Sequence, residues 1–228
     1  KGYQSAQALE ANSSLIGPDT LVLSLQNGYG NDDEIVKYVP EEQIVLGPSG
    51  GGAIVAGPGH VLHRGQGGTH IGSLGKDQSR AEMVKRLMDE GGVPEVELVA
   101  NVRKLVWNKL FVNVGINAIC ALLNDLNKTV AINEHAKQAS CALVKEAVEV
   151  ANAAGMDFDF EAEFENVMHI AMVTGENVCS MLADVRNKRR TEVDRINGAV
   201  VSEAAKLGKT APLNQLMTEL IHAKELLY

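Results

Sequence analysis

Two hydrophobic patterns divide this chain. Up to about residue 100, short apolar runs of strand length alternate with helical stretches. The pattern predicts helices over 4–14, 32–38 and 79–90, and strands over 21–25, 43–46 and 96–99. Residues 47–75 are rich in glycine with β-branched islands at 53–55, 60–63 and 69–71, which fits strands joined by tight turns. The run Leu21-Val-Leu-Ser-Leu is apolar throughout and bounded by turn residues, as expected for a buried parallel strand. Beyond residue 101 only the helical period remains. Helices are expected over 101–124, from an Asn133 cap to Gly155, over 160–173, from a Thr174 cap through Ser180 and Met181, from a Thr191 cap to Gly208, and from Pro212 onward. The expected fold class is therefore α/β, a partial Rossmann-like domain over 1–100, followed by an all-α helical domain over 101–228.

One helix breaks the amphipathic rule. Lys109, Asn113 and Asn117 are spaced by four, so they stack on one face of a helix. Around them Leu105, Leu110, Phe111, Val112, Val114, Ile116 and Ile119 make the remaining faces apolar, and the helix is expected to be buried nearly all round. Buried polar groups are costly unless satisfied. Either neighbouring helices satisfy the stripe, or it lines a cleft and binds a polar ligand; three aligned polar groups favour the ligand.

Composition narrows the function classes. Among 228 residues, aromatics are 4% and the net charge is −8, which argues against nucleic-acid binding. The basic cluster at 186–190 reads as a solvated helix end or loop. Cys120, Cys141 and Cys179 lack metal or disulfide spacing, so reduced core thiols in a cytoplasmic protein are expected. The six histidines have no partners at metal spacing, and no metal is assigned. No apolar run reaches the roughly 18 residues of a membrane span, and neither a nucleophile elbow nor a phosphate loop is present.

Weaker motifs remain. The glycines at 28 and 30 and at 65, 67 and 68 do not make a dinucleotide fingerprint and read as turns. Gln26-Asn27-Gly28 lies at the carboxyl end of a predicted parallel strand, where open α/β sheets bind ligands; alone it is as well explained by an ordinary turn. Thr191 with Asp194 makes a capping arrangement, and Glu192 in the first turn suits the helix dipole. The catalytic alternative is that Glu192 meets Lys109 and keeps it charged.

Taken in order, these residues resemble the ketopantoate reductase (2-dehydropantoate 2-reductase) family. The shared pattern is Lys1 opening a helix, Asn27-Gly28, Lys109/Asn113/Asn117, Ser180-Met181, and Thr-Glu-Val-Asp-Arg-Ile-Asn-Gly over 191–198. Gly-Pro-Gly ending at Gly59, Thr-His-Ile-Gly over 69–72 and Leu-Gly-Lys-Thr-Ala-Pro-Leu-Asn over 207–214 add to it. The resemblance covers essentially the whole chain. It implies an NADP-dependent reductase acting on a small 2-oxo acid, 2-dehydropantoate, in pantothenate and coenzyme A synthesis, with substrate held between a Rossmann domain and a helical domain. By the same resemblance Lys109 is the general acid, while Asn113, Asn117 and Asn127 hold the substrate's hydroxyl and carboxylate end. Ser180 hydrogen-bonds the carboxylate, Glu192 supports Lys109 and the nicotinamide side, and Lys1, Asn27 and Ala53 touch NADP. The family's Gly-x-Gly-x-x-Gly start is not among these residues, so the sequence is expected to be the later part of a longer chain. Two alternatives stay open: a related NAD(P)-dependent reductase of another small 2-oxo or 3-hydroxy acid, and a non-catalytic helical dimerisation module. A cytoplasmic homodimer, with neither nucleic acid nor membrane as partner, is compatible with all of this.

Overall fold

The two hydrophobic patterns correspond to two compact units, Lys1–Val106 and Trp107–Tyr228, in a computed structural model that describes residues 1–64 and 67–228.

In the first unit a 3₁₀ turn (Gly2–Gln4) leads into α1 (Ser5–Ala11), followed by β1 (Val22–Ser24), α2 (Asn31–Ile35) and β2 (Ile44–Leu46). Then come β3 (Gly52–Gly57), β4 (His60–Arg64), β5 (Thr69–Ser73), α3 (Ser79–Glu90) and β6 (Val96–Leu98). Four strands form one sheet in the order β1-β2-β5-β6, and β3 and β4 form a separate antiparallel ribbon. All three residues of β2 are buried, which is why it reads as a continuous apolar run rather than an alternation. The two-residue period still assigns its faces. Ile44 and Leu46 pack with Ile35, Val39 and Val102, whereas Val45 packs with Ile71, Ala81, Val84 and Val96.

The parallel pairing expected for the first strand is present, with Val22 opposite Ile44. The sheet as a whole is mixed, because β2 and β5 are antiparallel while β5 and β6 are parallel. Between β2 and β5 the described residues hold a ribbon and no helix, and a parallel return needs a crossover. Of the glycine turn expected at 65–68, residues 65 and 66 lie outside the described residues.

The second unit is helical. α4 (Val102–Leu123) starts in the last residues of the first unit, and the division falls within it. It is followed by α5 (Thr129–Ile132), α6 (Glu134–Ala153), α7 (Phe160–Val173), α8 (Ser180–Arg186), a 3₁₀ turn (Val193–Arg195), α9 (Asn197–Lys206) and α10 (Pro212–Glu225). Local chemistry sets most ends. The Asn133 side chain accepts from the His135 and Ala136 amides at 3.1 Å each, Gly155 takes the left-handed φ of +87° after α6, and Pro212 occupies the first turn of α10.

Contrary to the expectation that no segment reaches membrane-spanning length, α4 is long and apolar enough by length and composition to cross a membrane. Its packing shows a core helix. A Cβ on Gly115 would meet Val167 of α7 at 2.7 Å and Ser140 and Val144 of α6 at 2.9 Å, so only glycine lets these helices approach this closely. Buried Trp107 and Phe111 stack along its first turns, and Phe111 meets Phe158 edge-on at 4.9 Å.

Three capping expectations change. Thr174 ends α7 rather than starting a helix: its hydroxyl donates to the Ile170 carbonyl at 2.6 Å, and Cys179 caps α8 instead. Thr191 does cap locally, its hydroxyl accepting from the Val193 amide at 3.2 Å, but it opens only a 3₁₀ turn, and α9 begins at Asn197. Asp194 turns its carboxylate to Arg190 and His222, charged partners that outcompete a capping role. Glu192 is therefore not in the first turn of a long helix. The four-residue α5 was not foreseen, being too short to show a period.

Candidate active site

The stripe on α4 is graded in burial. Lys109 and Asn113 are half-buried, whereas Asn117 is 6% exposed and lies among fully buried Ala118 and Cys120. Successive members are about 6 Å apart along the axis, so the polar face runs from an accessible lysine into the core. Burial lowers the Lys109 ammonium from 10.5 to about 8. At neutral pH it is still charged, but its proton is much more readily given up than that of a solvated lysine.

Two further predicted residues reach the deep end of this stripe. The Cys179 thiol, at the start of α8, donates to the Asn117 carbonyl at 3.6 Å, which brings the neighbouring Ser180 to the same helix turn. Ser180 itself is exposed. The Asn127 amide donates to the Asn177 carbonyl at 3.2 Å, and its side-chain amide donates to the Thr174 hydroxyl at 2.9 Å. Asn127 is 7% exposed, and its side-chain oxygen is a buried acceptor with no protein partner. Such an acceptor is costly when left unmade, and a ligand hydroxyl would satisfy it. The structure thus draws Asn117, Asn127 and Ser180 to one end of the stripe headed by Lys109.

The cysteines fit the thiol expectation in state and place: all three are free, with Cys120 and Cys179 buried and hydrogen-bonded to each other. That bond and burial push the Cys120 thiol up, while the same bond holds Cys179 below its ordinary value.

Glu192 sits at the entrance to the 3₁₀ turn and is 8% exposed. Its neighbours are pinned: the Thr191 amide donates to Glu225 Oε1 at 2.7 Å, and Asp194 is bound by Arg190 at 3.1 Å.

In the first unit a second constellation forms at the carboxyl ends of β1 and β2. Ser24, Gln26, Gly28, Asn31, Leu46 and Gly47 line a small recess there. The Ser5 hydroxyl donates to Gln26 Oε1 at 2.9 Å, tying the helical turn that follows Lys1 to the loop that carries Asn27. Ala53 is exposed on the ribbon, opposite His63 in register. Two residues in this region escaped the sequence reading. Asn31 donates to the Asn27 carbonyl at 3.0 Å, holding the loop closed, and its side-chain oxygen is a buried acceptor without a partner. Asp32 is paired with Arg103 at 3.0 Å; burial nevertheless raises its carboxyl above the ordinary range. The only signal for Asn31 was its spacing of four from Asn27, which looked like part of a turn.

Comparison with known proteins agrees with this picture. Residues 101–225 match the family model described as the ketopantoate reductase PanE/ApbA C terminal, and residues 1–76 match that of ketopantoate reductase PanE/ApbA. A 2-dehydropantoate 2-reductase of Pyrococcus horikoshii is 35% identical over 226 residues, covering 99% of this chain and 73% of that protein. Its counterpart in Streptococcus pyogenes serotype M3 is 34% identical over 227 residues, covering 99% and 74%. Among solved structures, a complex of D-mandelate dehydrogenase with NADH superposes with a TM-score of 0.92 at 30% identity, covering 99% of this chain and 76% of that one. An α/β unit followed by a helical unit, with these matches, defines an oxidoreductase class. The chain belongs to the ketopantoate reductase family.

Proposed function

We propose that this protein catalyses the NADPH-dependent reduction of 2-dehydropantoate to pantoate, a step of pantothenate and coenzyme A synthesis, with Lys109 as general acid. The observation that carries the reading is the half-buried lysine, its pKa lowered to about 8, at the head of a carboxamide stripe on an otherwise apolar helix. An ammonium there can hydrogen-bond the ketone oxygen, stabilise the negative charge that develops on it, and deliver the proton that completes the alcohol. Asn113 and Asn117 orient the substrate along the helix face, and the unpartnered acceptor of Asn127 suits the substrate's hydroxyl. Ser180 donates to the carboxylate. Glu192 supports Lys109, keeping it protonated between turnovers.

The residues at the end of β1 fit a nicotinamide dinucleotide. Asn31 presents a buried acceptor in the recess, and Gly28 and Gly30, with φ of +87° and +78°, let the backbone approach a ligand closely. Lys1 and Asn27, and Ala53 on the ribbon, are the contacts assigned to it. When bound, the reduced nicotinamide supplies the hydride.

The test is NADPH oxidation with 2-dehydropantoate, in protein that includes the N-terminal segment its relatives carry. Lys109→Ala should lose roughly 10²–10⁴-fold in rate. An unchanged rate would overturn the mechanism. A second reading, reduction of another small 2-oxo acid with NADH, is favoured by the likeness to D-mandelate dehydrogenase bound to NADH. Wild-type protein silent on 2-dehydropantoate but active on such an acid would select it.

A further inference from the structure

Glu192 is flanked by two residues that α10 holds from outside. The Glu225 carboxylate is shared: Oε1 accepts the Thr191 amide at 2.7 Å, and Oε2 lies 3.2 Å from His222 Nδ1. The Asp194 carboxylate is shared as well: Oδ1 lies 2.9 Å from His222 Nε2, and Oδ2 accepts from Arg190 at 3.1 Å. Both ring nitrogens of His222 thus face carboxylate oxygens. A carboxylate only accepts, and a neutral imidazole has a single N–H, so both contacts are hydrogen bonds only when the ring carries two protons.

We infer that His222, as an imidazolium, is a positioning residue: it bridges Asp194 and Glu225 and so fixes the segment on which Glu192 is carried. The inference rests on the role proposed for Glu192. Charge complementarity supports it. The groups around the ring are Glu225 on its own helix and Asp194 on the 3₁₀ turn, with Arg190 sharing Asp194, and Asp184 of α8 near the adjoining Tyr228. Burial opposes the charge on His222, but hydrogen bonds to Glu225 and Asp194 outweigh it and raise its pKa above the ordinary imidazole value. The clamp is therefore complete below the ordinary imidazole pKa and is lost as pH rises through the higher folded value. Above that pH only one of the two contacts survives, and one side of the Glu192 segment is released.

The test combines two readouts on the full-length protein. In the amide spectrum of ¹⁵N-labelled wild type, the Thr191 resonance should titrate with the midpoint of the His222 ring, and in His222→Gln it should not titrate. In turnover, His222→Gln should lower kcat roughly 10-fold on the acid side, with a smaller change in KM. The ratio of wild-type to variant rate should fall toward one as pH rises through the His222 midpoint, and the penalty should disappear in a Glu192→Gln background. A Thr191 amide that does not follow the ring overturns the clamp. A penalty that is independent of pH, or unchanged beside Glu192→Gln, overturns the positioning role. Glu192→Gln at wild-type turnover overturns instead the functional role on which the inference rests, whatever the Thr191 titration shows.

Discussion

At Lys109 stability and chemistry oppose each other. Burial disfavours the ammonium, which is why its pKa drops to about 8, and a group held against its solvation preference is a mark of function rather than of folding. Reduction should fall as pH rises through about 8, because the general acid is then deprotonated; a pH–rate profile of kcat/KM checks this, and a flat profile to pH 9 would exclude Lys109 as the acid. Lys109→Met, which fits the apolar helix, should lose activity yet melt at the same or a higher temperature, as a calorimetric scan would show; a lower melting temperature would mean that the lysine serves the fold. Asn127 was named in the sequence only through the family pattern. Its unpartnered buried oxygen is visible only in three dimensions, since the sequence does not say which segments surround it.

At the level of elements, the four-residue spacing on α4 and its apolar surroundings were legible in the sequence, and the helix is buried much as the pattern implies. Gly115, two residues from both Asn113 and Asn117, was not singled out, because the need for glycine comes from the approach of α6 and α7. Gly115→Ala should cost about 1–3 kcal/mol in a denaturant titration; a neutral result would show that the helices can part freely. Strand positions were legible because β2 and its neighbours are short apolar runs, whereas strand direction was only partly so. The antiparallel β2–β5 pairing depends on what lies between those strands, not on their own residues. Caps assigned from residue type held at Asn133 and Pro212 and changed at Thr174. There a hydroxyl that could have started a helix instead bonds back to Ile170.

For the molecule as a whole, burial is unevenly distributed, and local stability should follow it. The run from Leu110 to Ala121 is buried at most positions, while the β3–β4 ribbon exposes Val55 and Val61 and pairs only with itself. Amide hydrogen exchange should therefore be slowest in the middle of α4 and markedly faster in the ribbon than in the four-stranded sheet. Equal protection of the ribbon and the sheet would contradict this.

Periodicity and turn chemistry act between residues a few positions apart, so the sequence by itself determined the two classes of unit, most helix and strand positions, and the polar stripe on α4. The ordered motifs along it pointed to the family. The tertiary structure alone decided the mixed sheet, the burial gradient that lowers the pKa of Lys109, the orphan acceptors of Asn31 and Asn127, and the ring of charges from Arg190 to Glu225 around Glu192. Each of these depends on groups distant in sequence sharing one environment, and a dielectric or a hydrogen-bond partner is a property of that environment rather than of any residue alone.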